Sequence, residues 1–282
     1  MIRAWIFGLA IAAICLGSRA TAQTQESAIR RAYALRMEGK LDEAKKLLEA
    51  EAAKTPKEMA IWIELARLEF HRAGATRELD SAQNAIEKAI ECNPDSSEAH
   101  RWASHIAAFQ AVLQSGDQEK LVAQIKRAIA EGEIAVRLDP NDHAARRLLV
   151  SLYGNNPREL GGDPNQAEAH IKALEARSPI DGAMARCEFS HKSEPEKRRA
   201  IWEKLYTSHA DAPRAAEQLA LHFARLGDVD KMEKPLRKAL SLAPKQGGIL
   251  LETGRALALA AKPEPAEKLL KEYLEYDPPG PL

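Results

Sequence analysis

Side chains able to do chemistry are plentiful in this 282-residue chain, but their spacing keeps them apart. Eight histidines (His71, His100, His105, His143, His170, His191, His209 and His222) are spread along the sequence, and His100 and His105, five apart, fall on different faces of a helix. A zinc or other transition-metal centre needs three or four convergent ligands, and no His-Glu-x-x-His segment supplies them. There is no Gly-x-Ser-x-Gly nucleophile elbow, and Cys92 and Cys187 carry no local protease signature. Glu217 and Asp228 read as ordinary acids of a charged helix surface, not as the carboxylate pair of a hydrolase. Gly161-Gly162 lacks the Gly-Lys-Ser/Thr ending of a phosphate loop. These residue types in this pattern predict no catalytic residue, no metal and no cofactor. They shift the question from reaction to binding.

What would position a binding surface is set by prolines. Pro56, Pro94, Pro140, Pro179, Pro213, Pro244 and Pro278 recur at spacings of 38, 46, 39, 34, 31 and 34, the stride of a helical repeat. The last two units match best. Ala216, Leu219, Ala220, Phe223, Gly227, Leu236, Ala239 and Pro244 are followed 34 residues later by Leu250, Thr253, Gly254, Leu257, Ala261, Leu270, Tyr273 and Pro278. Within the first unit, apolar residues three and four apart (Ala28, Ala32 and Leu35, then Ala44, Leu47 and Leu48) predict two helices joined at Gly39. Small residues at Ala32 and Ala44 allow close approach, and each recurring proline is expected to open the next unit because a helix start tolerates it.

The order small residue, glycine, small residue, proline resembles the tetratricopeptide repeat over residues 25–278, most fully in unit six, where Met232 replaces the usual small residue. The resemblance implies an all-α, right-handed α-solenoid of about seven antiparallel helix pairs. It also implies that the first helices of successive units line a concave groove that takes a peptide or protein. On that basis the groove-facing candidates are Tyr33, Arg36, Arg67, His71, His100, Ser104, Arg225 and Arg255. Guanidinium groups bind carboxylates bidentately, so Arg67, Arg225 and Arg255 favour an anionic or carboxylate-bearing segment. The Lys/Asn arrangement with which some tetratricopeptide domains clamp the acidic tails of chaperones does not recur. Trp62, Trp102 and Trp202 sit among apolar neighbours and read as inter-helix packing.

The middle units depart from the pattern. About four extra residues lie around Gly74 to Leu79, Ser115-Gly116-Asp117 turns between two extended helices, and Asn155 to Asp163 form a long turn-forming insertion. Leu160-Gly161-Gly162-Asp163 with Ala167 is similar to repeat proteins that accompany bacterial solute transporters, which offers a second reading: a small-ligand carrier with a pocket roofed by these insertions. Pro235, inside the second helix of unit six, predicts a kink.

Residues 1–22 read as a secretory signal, with Arg3, an apolar run from Ala4 to Leu16, and Ala20-Thr21-Ala22 before Gln23. Thirteen apolar residues fall short of the roughly 20 that a spanning helix needs. The expectation is cleavage near Ala22, export to the periplasm or beyond, and a 23–282 repeat domain with no stable membrane span. Loss of Arg3 and Arg19 leaves 39 basic against 41 acidic residues, and the block Lys197-Arg198-Arg199 sits beside Glu194 and Glu196. That balance argues against nucleic acid as a partner. Cys92 and Cys187 fall in separate units and are expected to be free and largely buried. The last apolar face, Leu269, Leu270 and Tyr273, is expected to lie partly uncovered and available for self-association.

Overall fold

A computed structural model describes residues 27–275 except 37, 77, 115, 190–193 and 245. The signal segment, His191 and the tail from Asp277 lie outside the described residues. Among the described residues there are fourteen α-helices and no strand. They fall into seven consecutive pairs: α1 (27–36) and α2 (Leu41–Lys54); α3 (Met59–Thr76) and α4 (Asp80–Cys92); α5 (Ser97–Leu113) and α6 (Gln118–Leu138); α7 (His143–Asn155) and α8 (Pro164–Arg177); α9 (Pro179–Phe189) and α10 (Pro195–Ser208); α11 (Pro213–Arg225) and α12 (Val229–Leu242); α13 (Gly248–Leu259) and α14 (Pro263–Glu275). The chain divides into two compact units, Met1–Ala145 and Arg146–Leu282.

One turn is reused between pairs. The N–H groups of Glu58, Ser96, Asp142, Ala212 and Gln246 each donate to the carbonyl three residues back, on Thr55, Asn93, Asp139, His209 and Ala243. Pro56, Pro94, Pro140 and Pro244 occupy the second position of this turn, where a fixed φ suits the backbone, and Ala210 takes the fifth. These four prolines therefore precede the next helix by three or four residues, whereas Pro179 and Pro213 are the first helical residues of α9 and α11. Acidic and hydroxyl caps follow. Ser96 accepts from Ala99 N at 3.2 Å and Asp142 Oδ1 from Ala145 N at 2.9 Å, satisfying donors that the helix itself cannot.

Within pairs, a second device reverses the chain. Lys40 N donates to Leu35 O, Asp228 N to Phe223 O, and Lys262 N to Leu257 O, each spanning five residues with a left-handed residue just before the donor. That residue is Gly39 at φ 76°, Gly227 at φ 70°, and Ala261 at φ 56°.

Each unit has its own core. In the first, Leu48, Ile61, Leu68, Ile86 and Ile106 are fully buried; in the second, Ile171, Leu174, Met232, Leu236, Leu250 and Leu257 are. Burial of each such side chain contributes about 1.5–3 kcal/mol against the cost of ordering it. Close approach is served by small residues: a Cβ on Gly254 of α13 would lie 3.0 Å from the Leu270 side chain of α14. The middle pairs are long where extra residues were read, α5 and α6 running to 17 and 21 residues. The 155–163 insertion folds as a 3₁₀ turn over Arg158–Leu160, with Gly161 at φ 89°, closed by Asp163 N donating to Tyr153 O at 2.9 Å. Helix α12 continues through Pro235, which is buried.

Cys187 is buried and Cys92 half-buried, both free. On α14, Leu269 is buried, Leu270 packs against Gly254, and Tyr273 packs on the core; the exposed apolar side chain of that helix is Leu274.

Candidate functional site

The residues expected along the first helices separate into two groups, one in each compact unit. In the first unit, Arg36 lies over the Tyr33 ring at 5.0 Å, and its Nε is 3.4 Å from Glu64 of α3. Glu64, one of the more deeply buried charges, is also 3.4 Å from Arg67. Arg67 in turn pairs with Glu98 of α5 and lies 5.2 Å over the Trp102 ring. Arg101 continues the row between Glu98, at 3.6 Å, and Asp142, whose Oδ2 accepts from its Nε at 2.9 Å. Cations and carboxylates thus alternate across α1, α3, α5 and the α7 cap. Each arginine of the row already has a carboxylate, which removes most of its attraction for an external anion.

Two candidates in this unit face inward. His100 is buried, with Nδ1 2.6 Å from Glu131 of α6 and Nε2 2.8 Å from Pro94 O. Ser104 is fully buried and donates to Ala128 O of α6 at 2.6 Å. Both lie on the α5 face that meets α6 and present nothing to an open surface. His71 is exposed on α3. Trp62 and Trp102 are half-buried, while Trp202 is in the core of the second unit.

In the second unit the structure brings Arg225 and Arg255 together. With Leu221 of α11 and Glu252, Ala256, Leu259 and Ala260 of α13, they line a cleft of about 290 Å³. Arg225 makes no ion pair among the described residues, and Arg255 has only a long, exposed contact with Glu252 at 3.5 Å. Leu259 is 91% exposed at the edge of this cleft. The surface therefore combines two accessible guanidinium groups, one carboxylate and a leucine left exposed by the described residues. It can hold an acidic, partly apolar segment by charge-assisted hydrogen bonds and apolar contact.

Also on α11, His222 is buried. Burial, then the charges of Arg198, Arg225 and Arg199, push its pKa down to about 4. Burial likewise pushes the Cys187 thiol up to about 11, far from a reactive thiolate. No group of three or more His, Cys, Asp or Glu that could hold a metal occurs among the described residues. None of the described helices is long and apolar enough to cross a membrane.

Sequence reasoning missed Glu64, Glu98, Arg101 and Asp142, because partners on neighbouring helices 28, 31 and 41 residues apart leave no local spacing to read. It also missed Leu221 and Leu259, which look like two more apolar positions of their helices.

Comparison with known proteins bears on the fold. A tetratricopeptide-repeat family model matches residues 26–68. No curated protein matches the chain in sequence. Among solved structures, a thermophilic tetratricopeptide-repeat protein of Thermus thermophilus, TTC0263, is similar at 19% identity and a TM-score of 0.50, over 83% of this chain and 99% of that one. Human IFIT1, solved as a dimer with PPP-AAAA, is similar at 20% identity and a TM-score of 0.53, over 88% of this chain and 54% of that one.

Proposed function

We propose a non-enzymatic scaffold that binds a protein or peptide partner on its first helices, a reading supported by the tetratricopeptide-like fold and by the family model that matches residues 26–68. The contact point is the α11–α13 cleft, and the part of the partner held there is acidic with an apolar side chain. The observation that carries this reading is the pairing of Arg225 and Arg255 around an exposed Leu259, with little compensating charge. The row of neutralised arginines in the first unit supports it by contrast. There Arg36 and Arg67 serve the fold, and the anion-binding capacity suggested by their side-chain type is already taken up.

The reading includes export: cleavage near Ala22 would place the scaffold in the periplasm or outside the cell, where its partner would be found. The three clefts lined by described residues take none from 116–117 or 155–163, and they support the scaffold as the first reading, with the small-ligand carrier as the second.

The test is quantitative capture from native extract with the wild-type chain and with Arg225→Glu/Arg255→Glu, read by mass spectrometry. One or more partners retained by the wild type and depleted about tenfold by the double variant is the expected outcome, two charge-assisted contacts being worth on the order of 1.4 kcal/mol or more. Identical capture by both would refute the site.

A further inference from the structure

Glu217 of α11 is a carboxyl that the second unit leaves without a counterpart. It is half-buried and makes no hydrogen bond or ion pair among the described residues. Arg214, three residues earlier on the same helix, is 3.2 Å from Asp181 of α9 and is engaged there. Burial pushes the Glu217 pKa above the usual carboxylate range; Arg214 opposes that shift, and Glu252 of α13 adds to it. A carboxylate drawn partly out of water with no partner carries a cost that an added cation offsets.

This carboxyl adjoins the α11–α13 cleft. Glu217 stands four residues before Leu221, within electrostatic reach of Glu252, and Leu221 and Glu252 both line the cleft with Arg225 and Arg255. Glu252 has only the 3.5 Å contact with Arg255, in which both side chains are more than half exposed. The surface is therefore dipolar: two weakly compensated arginines at one end and two weakly compensated glutamates at the other.

We infer that this surface reads two charges of opposite sign: the segment it holds carries a lysine or arginine against Glu217 and Glu252, two residues away from the acid that meets Arg225 and Arg255. The inference rests on the partner site proposed above and adds its selectivity, with Glu217 as the residue that sets it. The spacing follows from the register of the two helices. Counted from the second position of the inter-pair turn, Ala210 for α11 and Pro244 for α13, Glu217 and Glu252 stand at seven and eight, Arg225 and Arg255 at fifteen and eleven. Averaged over the two helices, the acids precede the arginines by about 5.5 residues, or about 8 Å along the axis. In an extended chain, residues two apart point to the same side with their Cα atoms about 7 Å apart, which matches that separation. A second acid at the cation's place would instead face two carboxylates, so the same residues that admit a Lys-x-Asp or Asp-x-Lys segment disfavour Asp-x-Asp.

The test is NMR titration of the isotope-labelled full chain with acetyl-Leu-Lys-Leu-Asp-amide, acetyl-Leu-Asp-Leu-Lys-amide and acetyl-Leu-Asp-Leu-Asp-amide. The tighter of the two lysine peptides should bind about fivefold more strongly than the dianionic one, the size of one ion pair gained and one like-charge contact removed. The Glu217 carboxyl carbon, followed against pH, should titrate lower with that lysine peptide bound, because a nearby cation favours the charged form. Glu217→Gln, which keeps the volume, should cut the preference to about twofold or less, and Glu217→Lys should invert it. Equal affinities, tighter binding of the dianionic peptide, or an undiminished preference in Glu217→Gln would each overturn the inference while leaving the acidic site at Arg225 and Arg255 in place. Failure of all three peptides to shift Leu221, Arg225, Arg255 and Leu259 would sink both.

Discussion

Ala261 holds φ 56° at the turn of the last pair, where the first and sixth pairs have Gly39 and Gly227 with the same five-residue hydrogen bond. A β-carbon in that region costs about 1 kcal/mol, part of which returns as lower entropy of the unfolded chain. Ala261→Gly is expected to stabilise the protein by about 0.5–1 kcal/mol, read as a higher urea midpoint. His222 gives a prediction of opposite character. Its folded pKa of about 4 lies below its ordinary 6.5, so the fold prefers the neutral ring. Its contribution to stability is complete above about pH 6.5 and is lost as pH falls toward about 4, on the order of 2 kcal/mol between about pH 7.5 and pH 5. Denaturant titrations at those two values should show that loss, and His222→Gln should reduce it. At this scale the sequence was legible only where a residue obeyed its repeat. Ser104 stands ten residues after Pro94, as Ala66 does after Pro56 and Ala220 after Ala210. Counting from the turn places it at the close-approach position against the second helix, which helix-face reasoning from Ser104 and His100 alone could not do. Glu64 was unreadable for the converse reason, since a charge in an amphipathic helix looks solvated until its register is known.

The elements were the most legible level. Proline stride, apolar spacing and Gly39 are local signals, and they correspond to seven helix pairs with reused turns. What they could not give was where each helix begins relative to its proline: the four-residue turn at Pro56, Pro94, Pro140 and Pro244 inserts a loop that proline preference alone does not distinguish from a helix start. Packing between the elements of a pair depends on the small residues the repeat supplies. Gly254 meets Leu270 at 3.0 Å and Ala266 O at 3.4 Å when a Cβ is added, so Gly254→Val would push α14 outward. A loss of about 1–3 kcal/mol is expected, seen as a lower thermal midpoint with far-UV circular dichroism of the native state unchanged. An unchanged midpoint would mean that α14 yields without cost.

Across the molecule, formal charge is balanced, with 41 basic and 41 acidic residues, yet its placement is uneven. Arg36, Arg67 and Arg101 on the first helices of the first unit each meet a carboxylate of a neighbouring element, while in the second unit Arg225 makes no ion pair among the described residues and Arg255 has only the long contact with Glu252. Net charge and composition argue against a basic nucleic-acid surface but could not reveal this difference, because it depends on which helices become neighbours. Exposed charge pairs are screened by salt, so partner binding at Arg225 and Arg255 should weaken as ionic strength rises while the fold itself is little affected. The most direct measurement is an NMR titration of the isotope-labelled chain with acetyl-Leu-Asp-Leu-Asp-amide at low and high salt. The expected result is a saturable set of shifts at Leu221, Arg225, Arg255 and Leu259 that weakens with salt and disappears in Arg225→Glu/Arg255→Glu. Shifts that leave α11 and α13 untouched, or that persist in the double variant, would contradict the assignment of this surface.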